Sequence, residues 1–422
     1  MKRLRLLLVL LAFAPALNAH EVPDRVSISI FVKQQADQLT VLARVPANAL
    51  IDVLLPTLGD TDWVDLESAK SDATIGAEVW IADQLSFYQS APLPRPKIQS
   101  LRLSRVKDPA FANYDDAYGR INGPPLPLET LARQEDLTVD VVLTTSLQSA
   151  APLSFEPRLS RLGVVVETSL TFLTPSGDAR IYRYEGDPET FALDPTRIAT
   201  AARFIEDGAV HFFDQSDYLL LALCIALVFQ NLKSLFPFAA LLAAAQAMAL
   251  FVALGVMSTE FWLRGLCGTA IVGAIVYMGC EAIIAAPSRR IVLALVVGAL
   301  FGYGFWLGLE PTVQFGGAHL AAAAVGFIVG VIAAEAVTLV ACAGAVYALT
   351  RFSSASQRLV IVIAAFAIHI AWRRFLDRAD ALALMPSELR GIESTILLYA
   401  GAVMIALFAA HALLTRAKQS RV

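Results

Sequence analysis

The spacing of apolar residues divides the 422-residue chain into two parts with different periods. Up to about residue 206, apolar and polar positions alternate over short segments, which are VSISIFV at 26–32, LTVLARV at 39–45 and LTVDVVL at 137–143. Alternation of this kind predicts strands with one buried face. The stretch GVVVETSLTFLTPSGDARIYRYEG predicts a hairpin that turns at Pro175, Ser176 and Gly177.

These strands predict a β-rich, sandwich-like domain over residues 20–193. Within it, the proline- and tyrosine-rich segment 91–127 predicts a long loop. A short amphipathic linker helix is expected over 194–208, because Asp194 can cap a helix start and Gly208 can terminate a helix.

Residues 209–422 consist mainly of long apolar runs, which predict an α-helical polytopic membrane bundle of about seven spans. The runs lie near 212–231, 235–257, 261–286, 291–309, 319–349, 359–376 and 394–415. Most of them approach the roughly 20 apolar residues that a helix needs to cross a bilayer.

The first 19 residues, MKRLRLLLVLLAFAPALNA, have the basic start, short apolar core and small-residue end of a secretory signal peptide. With seven spans after an exported domain, most loop arginines and lysines fall on the cytoplasmic side, as the positive-inside rule prefers. We therefore expect a bacterial inner-membrane protein with a periplasmic N-terminal domain and a cytoplasmic C-terminus. Four arginines of the last outer loop depart from the rule: Arg373, Arg374, Arg378 and Arg390.

Composition narrows the class of protein. The net charge of −4 gives no reason to expect a nucleic-acid partner. The sequence contains no HExxH, GxSxG or P-loop motif, so an enzyme is not expected. No permanently bound cofactor is expected, and the bilayer itself is the partner that the apolar runs require.

A cluster of ligand-type residues lies where the first apolar run begins, in DGAVHFFDQSDYLLL. His211, Asp214 and Tyr218 would share one face of a continuous helix, and Asp217 would point elsewhere. Imidazole and carboxylate groups suit a first-row divalent cation. The alternative is a helix start whose acidic residues complement the helix dipole.

Ionisable groups within the apolar runs are costly and need a reason. Glu335 lies mid-span, and Thr338 follows one turn later, so the two could line a cation path. Alternatively, a protonated Glu335 bonds to a neighbouring helix. Gln246 suits either a path or a helix-to-helix hydrogen bond, and Glu281 could lie in a path or reach the membrane interface.

Three GxxxG spacings lie in the fourth and fifth runs: Gly298/Gly302, Gly304/Gly308 and Gly326/Gly330. Such spacings let helix backbones approach closely in lipid. We expect Gly298, Gly302, Gly304 and Gly330 to serve helix packing.

Five blocks in this order resemble the HupE/UreJ family of hydrogenase and urease accessory membrane proteins. GAVHFFDQSDYLLL resembles the family's G-x-x-H-I-x-x-G-x-D-H-L-L-F, with Tyr218 in place of the second histidine. AQA at 245–247 resembles A-H-S, so Gln246 stands where the family has histidine. IVYMGCEA resembles I-V-Y-x-A-x-E-N and keeps Glu281.

The two remaining blocks keep the glycines of the family pattern. VGALFGYGF resembles F-G-L-x-H-G-x-G-F, with Phe301 at the histidine position, and FIVGVIAAE resembles F-N-x-G-V-E-x-G-Q, with Glu335 at the glutamine position. The resemblance implies a nickel or cobalt permease, although three motif histidines are replaced.

Two functional hypotheses follow from these observations. The first is a divalent metal permease, with His211, Asp217 and Glu281 as metal ligands and Asp214, Gln246, Glu335 and Thr338 along the path. The second is a non-transporting membrane protein of the same fold, whose exported domain binds an envelope protein or senses an envelope condition. The replaced histidines favour the second hypothesis, and Glu335 favours the first.

Overall fold

The structure is a computed structural model that describes residues 24–35, 37–50, 53–148, 151–229, 232–256, 261–284, 290–352 and 356–384. It divides into two compact units, one up to Pro195 and one from Thr196 onward. The predicted signal peptide at 1–19 and the predicted span at 394–415 lie outside the described residues.

The described part of the first unit contains nine strands. They are β1 (Arg25–Gln35), β2 (Gln38–Pro46), β3 (Leu85–Tyr88), β4 (Lys97–Arg105), β5 (Leu137–Ser146), β6 (Ser154–Pro157), β7 (Val165–Leu173), β8 (Ala179–Glu185) and β9 (Phe191–Ala192). Six form a sheet in the order β4-β5-β2-β1-β7-β8, and three form a second sheet in the order β3-β6-β9. The β-rich N-terminal region is thus confirmed, and the three alternating segments are β1, β2 and β5.

The predicted hairpin is also confirmed, because β7 and β8 pair antiparallel. Its turn contains Gly177 at φ +91°, a backbone conformation that favours glycine. Tyr182 of β8 packs against Phe191 of β9 with ring centroids 5.3 Å apart, which joins the two sheets.

The prediction of a long loop over 91–127 is wrong, because the segment contains β4 and a helix, α2 (Tyr114–Ile121). Another helix, α1 (Ala69–Trp80), lies earlier in the chain. The side chain of Asn113 caps α2 by accepting a hydrogen bond from the Asp116 amide at 2.9 Å. Buried α2 residues pack on side chains of β1, β2 and β5, so a helix covers part of the large sheet.

A buried ion pair joins β2 to β5. Both carboxylate oxygens of Asp140 accept from Arg44, at 2.8 Å from Nε and 2.7 Å from Nη2. Arg44 also donates to the carbonyl of Asp108 at 2.6 Å. This bidentate geometry satisfies the buried charges and fixes the register of the two strands.

The buried phenol of Tyr114 predicts a loss of stability at alkaline pH. Burial raises the pKa of Tyr114 to about 12, and the nearby Tyr118 acts in the same direction. Between pH 10 and 12 the unfolded chain binds fewer protons than the folded chain, so stability is intact below pH 10 and falls above it.

When the pH is raised from 9 to 11, we expect the free energy of unfolding to fall less in Tyr114→Phe than in wild type. The difference between the two losses should be up to about 1 kcal/mol. Urea unfolding of the full chain in detergent at both pH values measures this. Tyr118→Phe, at an exposed position, should keep most of the wild-type loss. An equal loss in wild type and Tyr114→Phe would contradict the prediction.

The second unit is helical. The α-helices of its described residues are α3 (Arg197–Asp214), α4 (Ser216–Val228), α5 (Leu232–Val256), α6 (Phe261–Ile284), α7 (Arg290–Leu309), α8 (Leu320–Phe352) and α9 (Ser356–Ala383). Among the described residues, the five helices α5 to α9 are long and apolar enough to cross a membrane. The count rises to six if α3 and α4, which meet at a bend of 75°, form one broken span.

The helices associate mainly as three pairs, α3 with α8, α5 with α7, and α6 with α9. The short helix α4 contacts α6, α8 and α9.

Glycines lie where the helices of each pair contact one another. A Cβ on Gly330 would overlap the carbonyl oxygen of Ile205 in α3, and one on Gly302 would overlap that of Gln246 in α5. Gly298 similarly faces Ala245, and Gly304 faces Ile271 and the Tyr218 hydroxyl. These backbones approach closely because glycine leaves room.

The helix predicted to end at Gly208 continues to Asp214, and its cap is Thr196 rather than Asp194. Gly208 does not terminate α3, because it lies against the backbone of Phe327 in α8. Glycine at this position serves close helix contact. The predicted span near 212–231 is not one continuous helix, because the end of α3 and the short helix α4 occupy this region and form at most one broken span.

Candidate functional site

The break between α3 and α4 separates the residues that were predicted to share one helix face. Gln215 has extended backbone angles, φ −96° and ψ 96°, and the chain turns sharply there. Asp214 ends α3 and is exposed, whereas Asp217 and Tyr218 are buried on α4. The predicted i, i+3, i+7 stripe is thus not a continuous helix face.

Asp217 binds two arginines of α9. Its Oδ1 accepts from Arg374 Nη1 at 2.5 Å, and its Oδ2 accepts from Arg378 Nη2 at 2.6 Å. Arg374 also donates to Ser216 Oγ at 2.9 Å, and Arg378 donates to the Gly268 carbonyl in α6 at 2.8 Å. The carboxylate therefore neutralises guanidinium charge and ties α4 to α6 and α9.

Sequence reasoning placed these two arginines in an outer loop and missed their role. They lie on α9, which continues beyond the predicted end of the span at 376 to Ala383. The signal was present in the sequence, since these residues violated the positive-inside rule. Arginine within a membrane helix requires a partner, and Asp217 supplies it.

His211 lies among aromatic rings. Its Nε2 is 3.5 Å from the Tyr218 hydroxyl, and its ring centroid is 5.5 Å from that of Phe327 and 6.4 Å from that of Phe305. Gly308 of α7 makes space for the imidazole, because a Cβ there would overlap the ring. His211 and Tyr218 thus meet across the helix break.

Glu281 is engaged within its own helix. Its Oε1 accepts from the Tyr277 hydroxyl at 2.7 Å, one turn earlier on α6. Among the described residues, no three His, Cys, Asp or Glu side chains converge on a site that could hold a metal ion. The structure therefore does not bring His211, Asp217 and Glu281 together as a ligand set.

Glu335 and Gln246 form a buried polar pair between α8 and α5. Glu335 is 5% exposed and Gln246 is 1% exposed. Gln246 Nε2 donates to Glu335 Oε1 at 3.2 Å. Gln246 Oε1 is buried and has no hydrogen-bond partner among the described residues. Thr338, predicted beside Glu335, donates its hydroxyl to the Ala334 carbonyl of its own helix at 2.8 Å.

A groove of about 440 Å³ between α5 and α8 reaches Glu335. Every other described residue that lines it is apolar, among them Leu235, Phe236, Ala239, Ile332, Leu339 and Val340. The groove thus presents one carboxyl group at an apolar wall. Such a group can exchange a proton or pair with a cation, and Gln246, which donates to it, also carries a buried amide oxygen without a hydrogen-bond partner among the described residues.

Comparison with known proteins bears on the helical unit. Residues 188–378 match the family model described as HupE / UreJ protein. A comparison with curated proteins found no match to the chain. The match covers α3 to α8 and α9 as far as Arg378, so it includes His211, Asp217, Gln246, Glu281 and Glu335. The match supports membership of this helical region in the HupE/UreJ family of membrane proteins.

Proposed function

We propose that the chain is a permease for a divalent cation, nickel or cobalt, and that Glu335 is the group that handles the cation. The observation that carries the proposal is the buried pair of Glu335 and Gln246, of which Glu335 lines the groove between α5 and α8. A carboxyl group inside a membrane bundle is costly and marks ion pathways more often than packing sites.

The chemistry of the pair supports an oxygen-based site. Glu335 supplies a carboxylate, and Gln246 supplies an amide oxygen that has no hydrogen-bond donor among the described residues. Carboxylate and amide oxygens bind divalent cations, although they discriminate less among first-row metals than imidazole does. A site of this kind also admits coupling to protons, because a proton and a metal cation compete for the same carboxylate.

The other predicted residues take different roles in this proposal. Asp217 is an anchor between helices, since both of its oxygens are held by arginines. His211 lies at the bend between α3 and α4 and would affect the shape of that bend. Asp214 is exposed at the end of α3 and could attract cations to the bundle. The inner-membrane location and the orientation remain predictions from loop charge.

Cellular metal content tests the proposal. Nickel, cobalt, zinc, copper and manganese would be measured by mass spectrometry after expression of wild type, Glu335→Gln and Glu281→Gln at equal protein levels. We expect a wild-type-dependent change in one metal that Glu335→Gln reduces at least roughly tenfold, because the amide cannot neutralise a cation. Glu281→Gln is the matched control and should retain most of the change.

Two results would contradict the transport proposal. One is an unchanged content of all five metals with intact protein in the membrane. The other is a change that survives Glu335→Gln in full, which would place the cation path elsewhere in the bundle.

A second candidate function is a membrane protein that acts through its N-terminal unit without transport. The engaged carboxylate of Asp217 favours it, together with the missing metal-ligand cluster among the described residues. Unchanged metal content would make this candidate the better account.

A further inference from the structure

The large sheet of the first unit ends in an edge strand that lies in a walled groove. The groove has a volume of about 500 Å³ and is lined by six consecutive residues of β4, from Ile98 to Leu103. One wall is a face of α1 with Lys70, Thr74 and Glu78 spaced four residues apart, and the other wall comes from residues between 121 and 128. The edge of β4 is therefore bordered by a wall on either side.

The outer edge of β4 has main-chain N–H and C=O groups that do not pair with another described strand. β4 is the terminal strand of the six-stranded sheet and pairs only with β5 among the described strands. No main-chain hydrogen bond joins residues 98–103 to another described segment outside that pairing. The register is irregular between Ile98 and Ser100, so the regular ladder available to a partner starts at Ser100.

The charges around this edge favour an acidic partner. β4, with the sequence KIQSLRLSR, carries the exposed cations Lys97 and Arg105 and no acidic residue. Its third cation, Arg102, is buried and donates to the carbonyl oxygens of Arg120 and Pro124. Lys70 adds another cation on the wall of α1, and Glu78 is the one acidic residue among the described lining residues. Pairing of β4 with β4 of a second copy would place like charges opposite each other, which is unfavourable.

We infer that this groove binds an extended, acidic peptide segment of another protein, which adds to the sheet as a strand beside β4. Main-chain hydrogen bonds to β4 would supply affinity, and the walls would select side chains. Apolar lining residues such as Leu101, Leu103 and Leu126 suit alternating apolar side chains, and Lys70 suits a carboxylate. This inference concerns the first unit and does not depend on the transport proposal.

Peptide binding to the purified full chain in detergent tests the inference. The probe is a fluorescein-labelled heptapeptide of alternating valine and threonine that carries two glutamates, measured by fluorescence anisotropy. One matched peptide carries lysines instead, and another keeps the glutamates but has alternate backbone amides methylated on the edge that would face β4. We expect saturable binding of the acidic peptide and binding weaker by roughly tenfold or more for the other two.

Variants of the chain locate the binding to the groove. Lys70→Glu inverts an exposed charge on the wall of the groove, and Thr74→Trp places a large side chain in the groove. Both substitutions should weaken binding of the acidic peptide roughly tenfold. Lys107→Glu inverts an exposed charge outside the lining and should leave binding within about twofold of wild type.

Three results would overturn the inference. They are no saturable binding of the acidic peptide up to about 1 mM, equal binding of the methylated peptide, and a dimer that Thr74→Trp disperses. The last result would assign the groove to a second copy of this chain, and equal binding of the methylated peptide would exclude strand addition.

Discussion

Gly330→Leu should prevent the helical unit from folding. The Cβ of any side chain at this position would overlap the carbonyl oxygen of Ile205, and it would also lie 3.0 Å from the amide nitrogen of Ala209. These are main-chain atoms of α3, which cannot move aside without separating α3 from α8. Overpacking against flexible side chains costs about 1–3 kcal/mol, so a backbone clash should reach or exceed about 3 kcal/mol.

Gly344→Leu is the matched control, because it makes the same substitution on the same helix. A Cβ on Gly344 meets no atom within 4 Å among the described residues. The readout is the fraction of detergent-extracted protein that elutes as a single monodisperse peak, together with its thermal midpoint. Gly330→Leu should lose the peak and Gly344→Leu should keep it. Equal behaviour of the two variants would contradict the packing of α3 on α8.

Asp217→Asn should loosen α4 from the rest of the bundle. The substitution removes the charge that neutralises Arg374 and Arg378, although the amide oxygen can still accept one hydrogen bond. Breaking a fully buried pair costs about 3–5 kcal/mol, and the arginines here are more than one-third exposed, so we expect about 2 kcal/mol.

Cys224 provides a local readout of this change, since it lies on α4 and is 0% exposed. In a background with the other three cysteines replaced by serine, maleimide labelling of Cys224 should accelerate markedly in Asp217→Asn. Asp214→Asn removes an exposed carboxylate three residues earlier and should label at the wild-type rate. The effect of Asp217→Asn should shrink when Arg374 and Arg378 are already replaced by glutamine. Unchanged labelling would show that the ion pairs do not hold α4 in place.

Local patterns were sufficient to predict the β-rich region, three strands and the β7–β8 hairpin. Each of these depends on alternation and turn residues within about 20 positions. β4 and α2 escaped prediction because prolines and tyrosines surround them, and because α2 is stabilised by packing on Phe31, Leu42 and Val142. That packing is tertiary and has no local signature.

In the candidate site, too, the residues could be predicted from local sequence but their contacts could not. Glu335, Gln246, His211 and Asp217 were all identified as residues that need a reason, because each is polar within or beside an apolar run. Their partners could not be predicted, since Asp217 meets Arg374 157 residues away and Gln246 meets Glu335 89 residues away. The glycine at 208 illustrates the limit, because the same residue type serves both helix termination and close helix contact.

Cation flux into liposomes tests the central claim most directly. The purified chain would be reconstituted with a metal-sensitive dye inside, and nickel or cobalt added outside, for wild type, Glu335→Gln and Glu281→Gln. If Glu335 handles the cation, wild type and Glu281→Gln should show protein-dependent influx, and Glu335→Gln should fall to the rate of empty liposomes. Influx through Glu335→Gln at the wild-type rate, or no influx through folded wild type, would contradict the account.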